Sequence, residues 1–351
     1  MAQRKDLSEF GNRLRSARKM AGLSMEDLAK KMGGIITKQS ISKYEKGSIN
    51  PSSEVLIKLS QALGVKPEYF YRSSKITLSG IEFRKKFKLP SKEVESIEQR
   101  TIDFLERYLE LENILGIETK FRNPVPNASV NNLEDVENLS LKIREKWNLG
   151  LAPIPNFLEL LEENGIKVFE IKNIKGFDGL SSRIGNFYVM VINKDMPADR
   201  IRFTAAHELA HILCKFPDKS HKEKLCHTFA GAFLLPKQIL QKELMQKREQ
   251  ITLWELGELK KMYGISIQAI VRRAHLLGIV SDFYLRNFLS TLDKKNWQIT
   301  EPIEYQGREE ALRFRQLLHY AVIEEIITLS RGAELANMNL TKLQEEVRSA
   351  I

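Results

Sequence analysis

Hydrophobic positions in the first 75 residues recur at the spacing of short amphipathic helices. The pattern predicts one helix that ends at Gly22, a second that a capping box at 24–27 opens, a third over 37–44 and a fourth over 52–63. The apolar positions that would face inward are Leu14, Ala17, Leu28, Ile41, Tyr44, Val55, Leu56, Leu59 and Leu63. This part of the chain therefore predicts an all-α domain.

The pattern changes in the middle of the chain, where helices alternate with strand-like runs. Helices are predicted over 133–147 and 155–164, and a strand over 165–171. Two further strands over 180–192 flank a Gly-Asn pair that is typical of a hairpin turn. An apolar helix over 197–214 follows. These elements predict a small sheet packed against helices.

The apolar helix contains His207-Glu208-Leu209-Ala210-His211, an HExxH. Histidines four residues apart share a helix face and can direct two nitrogens at one zinc ion, with Glu208 as general base. Glu223, in the next helix, is the candidate third ligand, which would leave one coordination position open as in catalytic zinc sites. The alternatives remain that Glu223 is a solvated residue of a first helical turn, and that His227, on the same face, completes the site instead.

The amino-acid sequence on both sides of this motif resembles that of a known family. HELAHIL over 207–213 and E-x-x-C-x-x-FA-x-x-x-LLP over 223–236 resemble the ImmA/IrrE family of bacterial metallopeptidases. The preceding run RIRFTAA over 200–206 is similar to that family's lead-in to the site helix.

The resemblance implies a Zn²⁺ cofactor and assigns roles to individual residues. His207, His211 and Glu223 would bind the metal, and Glu208 would act as the base. The family more often has asparagine or aspartate at the position of His227, so the role of His227 stays open. The substrate that the resemblance implies is a repressor or antitoxin protein.

Nearly all of the net positive charge lies in the first quarter of the chain. Residues 1–88 contain 19 Lys and Arg against 8 Asp and Glu, whereas the remainder contains 36 against 37. Because this basic region is patterned rather than repetitive, its charge favours binding to nucleic-acid phosphates over a solvated tail.

The phrases LSxxxLA, ISKYEKG and LGVxPxxF, within residues 8–71, resemble the XRE-type helix-turn-helix of Cro and phage repressors. The resemblance implies binding to double-stranded operator DNA. Met25 departs from that pattern, which commonly has a glutamine in contact with phosphate there. Because Ile41 and Tyr44 must face the core, the third helix leaves four residues for DNA: Lys38, Gln39, Ser40 and Lys43. Glutamine can pair with adenine, and the lysines can reach guanine or phosphate alone.

The expected fold is mainly α with a small β-sheet, in four segments. These are a helix-turn-helix domain over 1–75, a helical linker over 76–145, an α+β zincin-like peptidase domain over 146–240 and a helical C-terminal region over 241–351.

Within the C-terminal region, residues 256–274 resemble a second helix-turn-helix, but their apolar positions favour packing against the peptidase core. The tail over 309–351 is predicted as amphipathic helix and is a candidate surface for a homodimer or another partner. Cys214 and Cys226 are expected to be reduced core thiols.

The chain has 42% hydrophobic and 28% charged residues, and it contains neither a signal peptide nor an apolar run of membrane-spanning length. We therefore expect a cytoplasmic protein without a membrane partner. The leading hypothesis is a DNA-binding regulator with a zinc endopeptidase domain. The alternative hypothesis is a transcription factor whose HExxH domain is a sensor or scaffold and cuts nothing.

Overall fold

The computed structural model describes residues 2–72, 89–245, 247–298 and 300–349. The chain forms two compact units: residues 1–118 with 314–351 make up the first, and residues 119–313 the second. Residues 76–88 of the expected linker, with the basic run 84–88, lie outside the described residues.

The described residues form sixteen α-helices, one 3-10 helix and three strands. In chain order they are α1 (Ala2–Met20), α2 (Met25–Lys31), α3 (Lys38–Glu45), α4 (Ser53–Leu63), a 3-10 helix (Pro67–Tyr71), α5 (Ser91–Ile114), α6 (Leu133–Lys146), α7 (Phe157–Glu163), β1 (Lys167–Ile171), β2 (Gly179–Ile184), β3 (Phe187–Asn193), α8 (Ala198–Leu213), α9 (Lys222–Leu234), α10 (Lys237–Leu244), α11 (Leu253–Tyr263), α12 (Ile267–Leu276), α13 (Asp282–Lys294), α14 (Arg313–Ile323), α15 (Leu329–Leu335) and α16 (Leu340–Ser349). The prediction of a mainly α fold with a small sheet is confirmed.

The first unit begins with the short helices that the sequence predicts. Ser24 and Asp27 form the capping box of α2, while Thr37 and Ser52 cap α3 and α4 through their side chains. These oxygens satisfy backbone N–H groups that have no partner inside the helix, which is why each helix begins where its cap lies. The helices close over one apolar cluster that includes Leu14.

Two contacts fix α3 against α1. A Cβ added at Gly11 would lie 2.6 Å from the carbonyl oxygen of Glu45, so the close approach of the helices requires glycine there. Arg18 donates from Nε to Glu45 Oε1 (2.6 Å) and from Nη2 to Oε2 (2.9 Å), and both side chains are buried. This paired geometry holds the C-terminal end of α3 in one orientation.

The C-terminal tail belongs to the first unit. The sequence predicts amphipathic helix over 309–351, and the structure divides this tail into three helices, α14 to α16. Glu325 (φ 55°) and Asn337 (φ 51°) adopt left-handed conformations, which interrupt the helical path.

The tail packs against α5. The ring of Phe314 lies 5.7 Å from that of Phe104 and 5.4 Å from that of Tyr108. Arg107 also donates from Nη1 to the carbonyl oxygen of Leu335 (2.7 Å). Helices from both ends of the sequence therefore share the unit that contains α1 to α4.

The second unit contains a three-stranded sheet in the order β1-β3-β2. β1 pairs with β3 in parallel, and β2 pairs with β3 in an antiparallel hairpin, with Ile184 opposite Phe187. The predicted hairpin is confirmed, and β2 lies at an edge of this sheet. The helix α8 contacts both β2 and β3, so the sheet covers one side of the helix that carries the HExxH.

Residues far along the chain anchor α8 in the second unit. Arg202 is fully buried and forms an ion pair with Glu309, whose other carboxylate oxygen accepts from the backbone N–H of Phe157 (2.9 Å). Lys260 pairs with Asp199 at 2.8 Å, at the first turn of α8. A lost partner would leave a buried charge, a change that costs about 3–5 kcal/mol.

The helices α11 and α12 pack as the sequence predicts. Leu256, Ile267, Ile270 and Val271 are buried in the same cluster as the apolar residues of α8 and α9. The second helix-turn-helix resemblance therefore reflects packing in the core of this unit. Among the described residues, no helix combines the length and the hydropathy that a membrane crossing requires.

Candidate metal centre and DNA-reading face

The helix α8 places the two histidines of the HExxH side by side. Nε2 of His207 lies 3.2 Å from Nε2 of His211. The side chains of His207 and His211 are 12% and 7% exposed, so both are largely shielded from solvent.

Glu223, in the first turn of α9, approaches the same two nitrogens. Its Oε2 lies 3.3 Å from Nε2 of His207 and 3.6 Å from Nε2 of His211. The Glu223 side chain is 50% exposed, so this side of the cluster is open to solvent. The structure thus brings the three expected ligand residues together from two helices.

The spacing of these three atoms fits a zinc ion. In a tetrahedral site with bonds of about 2.0–2.2 Å, neighbouring ligand atoms lie about 3.3–3.6 Å apart. The three edges of the triangle measure 3.2, 3.3 and 3.6 Å. Two imidazole nitrogens and one carboxylate oxygen also make up a donor set that catalytic zinc sites use. These residues therefore fit a metal of this size.

Glu208 lies beside the triangle and is oriented by the sheet. Ligand atoms of His207, Glu208 and His211 lie within 4.8 Å of one another. Ser181, in edge strand β2, donates from Oγ to Glu208 Oε2 at 2.7 Å. Sequence reasoning missed Ser181, because Ser182 and Arg183 follow it in β2 and nothing in this run distinguishes it.

The helix α3 exposes three of the four residues expected to meet DNA. Lys38, Gln39 and Lys43 are exposed, whereas Ile41 is fully buried, as predicted. Ser40 is half-buried: its backbone N–H donates to Oγ1 of Thr37 at 3.2 Å, and its hydroxyl lies 3.1 Å from the same atom. The exposed face of α3 is therefore made of long polar side chains.

Comparisons with known proteins agree with both parts of this picture. A family model described as helix-turn-helix matches residues 14–70, and one described as IrrE N-terminal-like domain, of peptidase family M78, matches residues 161–275. An uncharacterized HTH-type transcriptional regulator of Methanocaldococcus jannaschii is 40% identical over 57 residues, which are 16% of this chain and 83% of that protein. The chain belongs to the helix-turn-helix regulators and carries an IrrE-like domain.

It is thus a DNA-binding regulator with a peptidase-like domain. The helix-turn-helix match covers α2, α3, α4 and part of α1, and the IrrE-like match covers the sheet and the metal centre. The two resemblances stated from the motifs are confirmed by these matches.

One of the two cysteines of the IrrE-like domain contacts the candidate metal centre. Sγ of Cys226, which is fully buried, lies 3.4 Å from Nδ1 of His211, the ring nitrogen that does not face Glu223. Cys226 therefore contacts the His211 imidazole at Nδ1. The spacing of residues along α8 and α9 did not predict this contact. Burial raises the pKa of Cys214 to about 12, so this thiol stays protonated at neutral pH.

His227 also lies beside the centre. Its ring is 4.4 Å from the ring of His207 and stacks at 6.0 Å on Phe203. Desolvation and, to a smaller extent, the positive charge of Arg272 lower the pKa of His227, so its neutral form is favoured. The structure places His227 next to a candidate ligand and close to Arg272.

Proposed function

We propose that this regulator is a zinc-dependent endopeptidase that cuts a repressor or antitoxin protein. The observation that carries the proposal is the triangle of His207, His211 and Glu223, with edges of 3.2–3.6 Å and the Glu208 carboxylate beside it. Histidine and carboxylate side chains could have been spread over the surface of these helices. Their convergence on one point costs folding stability unless a ligand compensates for it.

In this proposal His207, His211 and Glu223 hold the metal, and Glu208 moves the protons. A zinc ion held there would polarise the peptide carbonyl and lower the pKa of a water molecule. Glu208 would take a proton from the attacking water as the new C–O bond forms. It would then give that proton to the amide nitrogen as the C–N bond breaks. The hydrogen bond from Ser181 fixes the orientation of the Glu208 carboxylate for these two proton transfers.

The edge strand β2 provides a place for an extended substrate. It pairs with β3 on one side, and its residue Ser181 contacts Glu208. A peptide that adds to the other side of β2 through main-chain hydrogen bonds would run past the metal centre. Recognition through the main chain suits an endopeptidase, since it positions any extended segment for cutting.

The DNA-binding half would read an operator through Lys38, Gln39, Ser40 and Lys43. The exposed face of α3 and the excess of positive charge in residues 1–88 support this assignment. If two chains associate, their paired α3 helices would prefer an inverted repeat. The regulator would then bring a peptidase to the promoter that it controls.

The test compares the zinc-loaded full chain with its Glu208→Gln variant. Each protein is incubated with the repressor- and antitoxin-type products of neighbouring genes, and the digests are read by gel and mass spectrometry. We expect a new protein N-terminus with the wild type only, since the variant keeps the ligands and loses the base. If the zinc-loaded wild type leaves every such protein intact, the domain acts as a sensor or scaffold.

A further inference from the structure

A groove of about 1780 Å³ lies beside the metal centre of the IrrE-like domain. Its walls come from the first half of α8, from α9, from α12 and from the segment near Tyr305. All of these elements belong to the same compact unit. The volume of the groove is large enough to hold several amino-acid residues.

One end of the groove lies next to the candidate metal centre, although His207, Glu208, His211 and Glu223 do not line it. Phe203, Lys224 and His227 line that end. The ring of His227 lies 4.4 Å from that of His207, and Lys224 directly follows the proposed ligand Glu223. A substrate whose scissile bond lies over the triangle would therefore extend into this groove on one side of that bond.

Most charges that line the groove are neutralised by neighbours. Lys260 pairs with Asp199 and Glu301, Arg273 with Glu137, and Arg200 with Asp178. Glu304 accepts a hydrogen bond from the neutral amide of Gln306 (3.1 Å) and keeps its negative charge. These pairs hold the walls together and leave little charge for a ligand.

Lys224 and Arg272 are the exceptions at the metal end of the groove. Both are exposed, and neither has an ion-pair partner among the described residues. Arg272 lies close enough to His227 to act on its charge, and Lys224 lines the same groove. Two cations without partners at the mouth of a groove attract carboxylates, and an arginine can bind a carboxylate through two parallel hydrogen bonds.

We infer that this groove is a substrate subsite that takes an acidic segment of the protein substrate, with Lys224 and Arg272 as the residues that select it. The inference rests on the proposed peptidase function and names its substrate class. Acidic side chains near the scissile bond would pair with the two cations as the main chain lies against β2. The contribution of such pairs falls as salt concentration rises, because both cations are exposed.

The binding test uses two fluorescein-labelled pools of degenerate dodecapeptides that differ only in two adjacent central positions, fixed as Glu-Glu or as Gln-Gln. Anisotropy is measured with the full-length Glu208→Gln variant, so that no peptide is consumed. We expect the Glu pool to bind roughly three- to tenfold more tightly at low salt. Arg272→Glu in the same background should abolish or reverse that preference.

Arg286→Glu is the matched control. Arg286 is exposed on α13 and does not line the groove, so the same change of net charge should leave the preference intact. Arg272→Gln and Lys224→Gln introduce no negative charge. Each should partly reduce the preference for the Glu pool. Equal binding of both pools by the Glu208→Gln protein overturns the inference, as does an identical loss with Arg286→Glu. A loss of duplex DNA binding with Arg272→Glu, without change in peptide preference, overturns it in favour of a nucleic-acid surface.

A cleavage experiment tests the acidic subsite separately from the proposed peptidase function. The zinc-loaded wild type is given both pools unlabelled, and the new N-termini are sequenced. Cleavage of the two pools at equal rates leaves the peptidase function standing and rejects the acidic subsite. Selective binding of the Glu pool with no cleavage of either pool supports the subsite and rejects the peptidase function.

Discussion

Ser181 Oγ donates a 2.7 Å hydrogen bond to the carboxylate of Glu208, and this bond joins edge strand β2 to the helix of the HExxH. A carboxylate that must take and return a proton works best when its orientation is fixed before substrate arrives. The sheet therefore contributes to the proposed site through a side chain as well as through its edge.

The Ser181→Ala variant should cleave about tenfold more slowly than wild type, because a hydrogen bond to a charged group contributes about 1.5 kcal/mol or more. Its zinc content should be unchanged, since Ser181 touches no proposed ligand. Ser181→Thr keeps the hydroxyl and should restore most of the rate. Single-turnover assays on any substrate found would measure these rates, and a Ser181→Ala protein as fast as wild type would contradict the orienting role.

The His207→Ala variant should lose the zinc that wild type carries at about one ion per chain. Removing one of three protein ligands leaves two, too few to hold the metal tightly. Metal analysis of the purified proteins measures the stoichiometry. Glu208→Gln is the control and should keep its zinc. Equal zinc in His207→Ala and wild type would show that the metal binds elsewhere.

Some residues on the exposed face of α3 should contact base edges, and others should contact the phosphates of the DNA backbone. Lys43→Ala should weaken binding to all sequences and reduce the log–log salt slope by about one unit, since one phosphate contact is lost. Gln39→Ala should instead relax preference at one base pair, at a cost of roughly 1–3 kcal/mol. Binding of the full chain to a selected DNA site and to random DNA measures both effects.

Lys58→Ala serves as the control for these variants. Its ammonium pairs with Glu54 (2.8 Å) on α4, away from α3, so operator selectivity should not change. If Lys43→Ala and Gln39→Ala both bind selected and random DNA like wild type, another surface reads the operator.

Glu162 should make the second unit less stable as pH rises from 5 to 8. The side chain is buried in α7, and burial raises its pKa from 4.5 to about 8. Because the folded state then binds a proton that the unfolded state releases above pH 4.5, the stabilising effect is complete below that pH. It is lost progressively up to pH 8, by at most about 1.4 kcal/mol per pH unit.

Urea unfolding at several pH values tests this directly. Glu162→Gln should reduce the fall in stability, since the amide cannot ionise. Burial also raises the pKa of Glu170 and of Glu309, and these carboxyls would keep their share of the pH dependence. Glu163→Gln changes an exposed neighbour and should leave the dependence as it is in wild type. A wild-type protein whose stability rises between pH 5 and 8, with no change in Glu162→Gln, would contradict the raised pKa.

A fragment of residues 119–313 should fold and bind zinc without the rest of the chain. It contains the sheet, the proposed ligands and the buried partners of α8, including Glu309. It should not bind operator DNA, since α3 is absent. Circular dichroism and metal content measure the outcome, and an unfolded, metal-free fragment would show that the two units fold cooperatively.

The local elements could be predicted from the sequence because their signals are local. Caps at Ser24, Thr37 and Ser52 mark helix starts, and the spacing of His207 and His211 places both on one face. The proximity of Glu223 followed from a short loop between two apolar helices. The domain boundaries and the roles of the proposed ligands stay predictions.

The contacts between distant segments could not be predicted. Ser181 and Glu208 are 27 residues apart, and Arg202 and Glu309 are 107 apart, so nothing in the pattern of either segment identifies the other. The same is true of Cys226, whose sulfur meets the back of His211 because of how α9 packs on α8. Lone polar residues in apolar elements indicate that a partner exists and do not say which.

The course of the chain between the two compact units has a consequence for proteolysis. Residues 119–313 are an insertion within a unit built from both ends of the sequence, so the polypeptide crosses between the units twice, near residues 118 and 313. A nick near residue 313 would leave the inserted unit covalently joined to the DNA-binding helices. After a nick near residue 118 the two would be held together only by the packing of the C-terminal tail on α5. Release of the inserted unit from promoter DNA by proteolysis would require both connections to be cut, as long as the tail stays packed on α5.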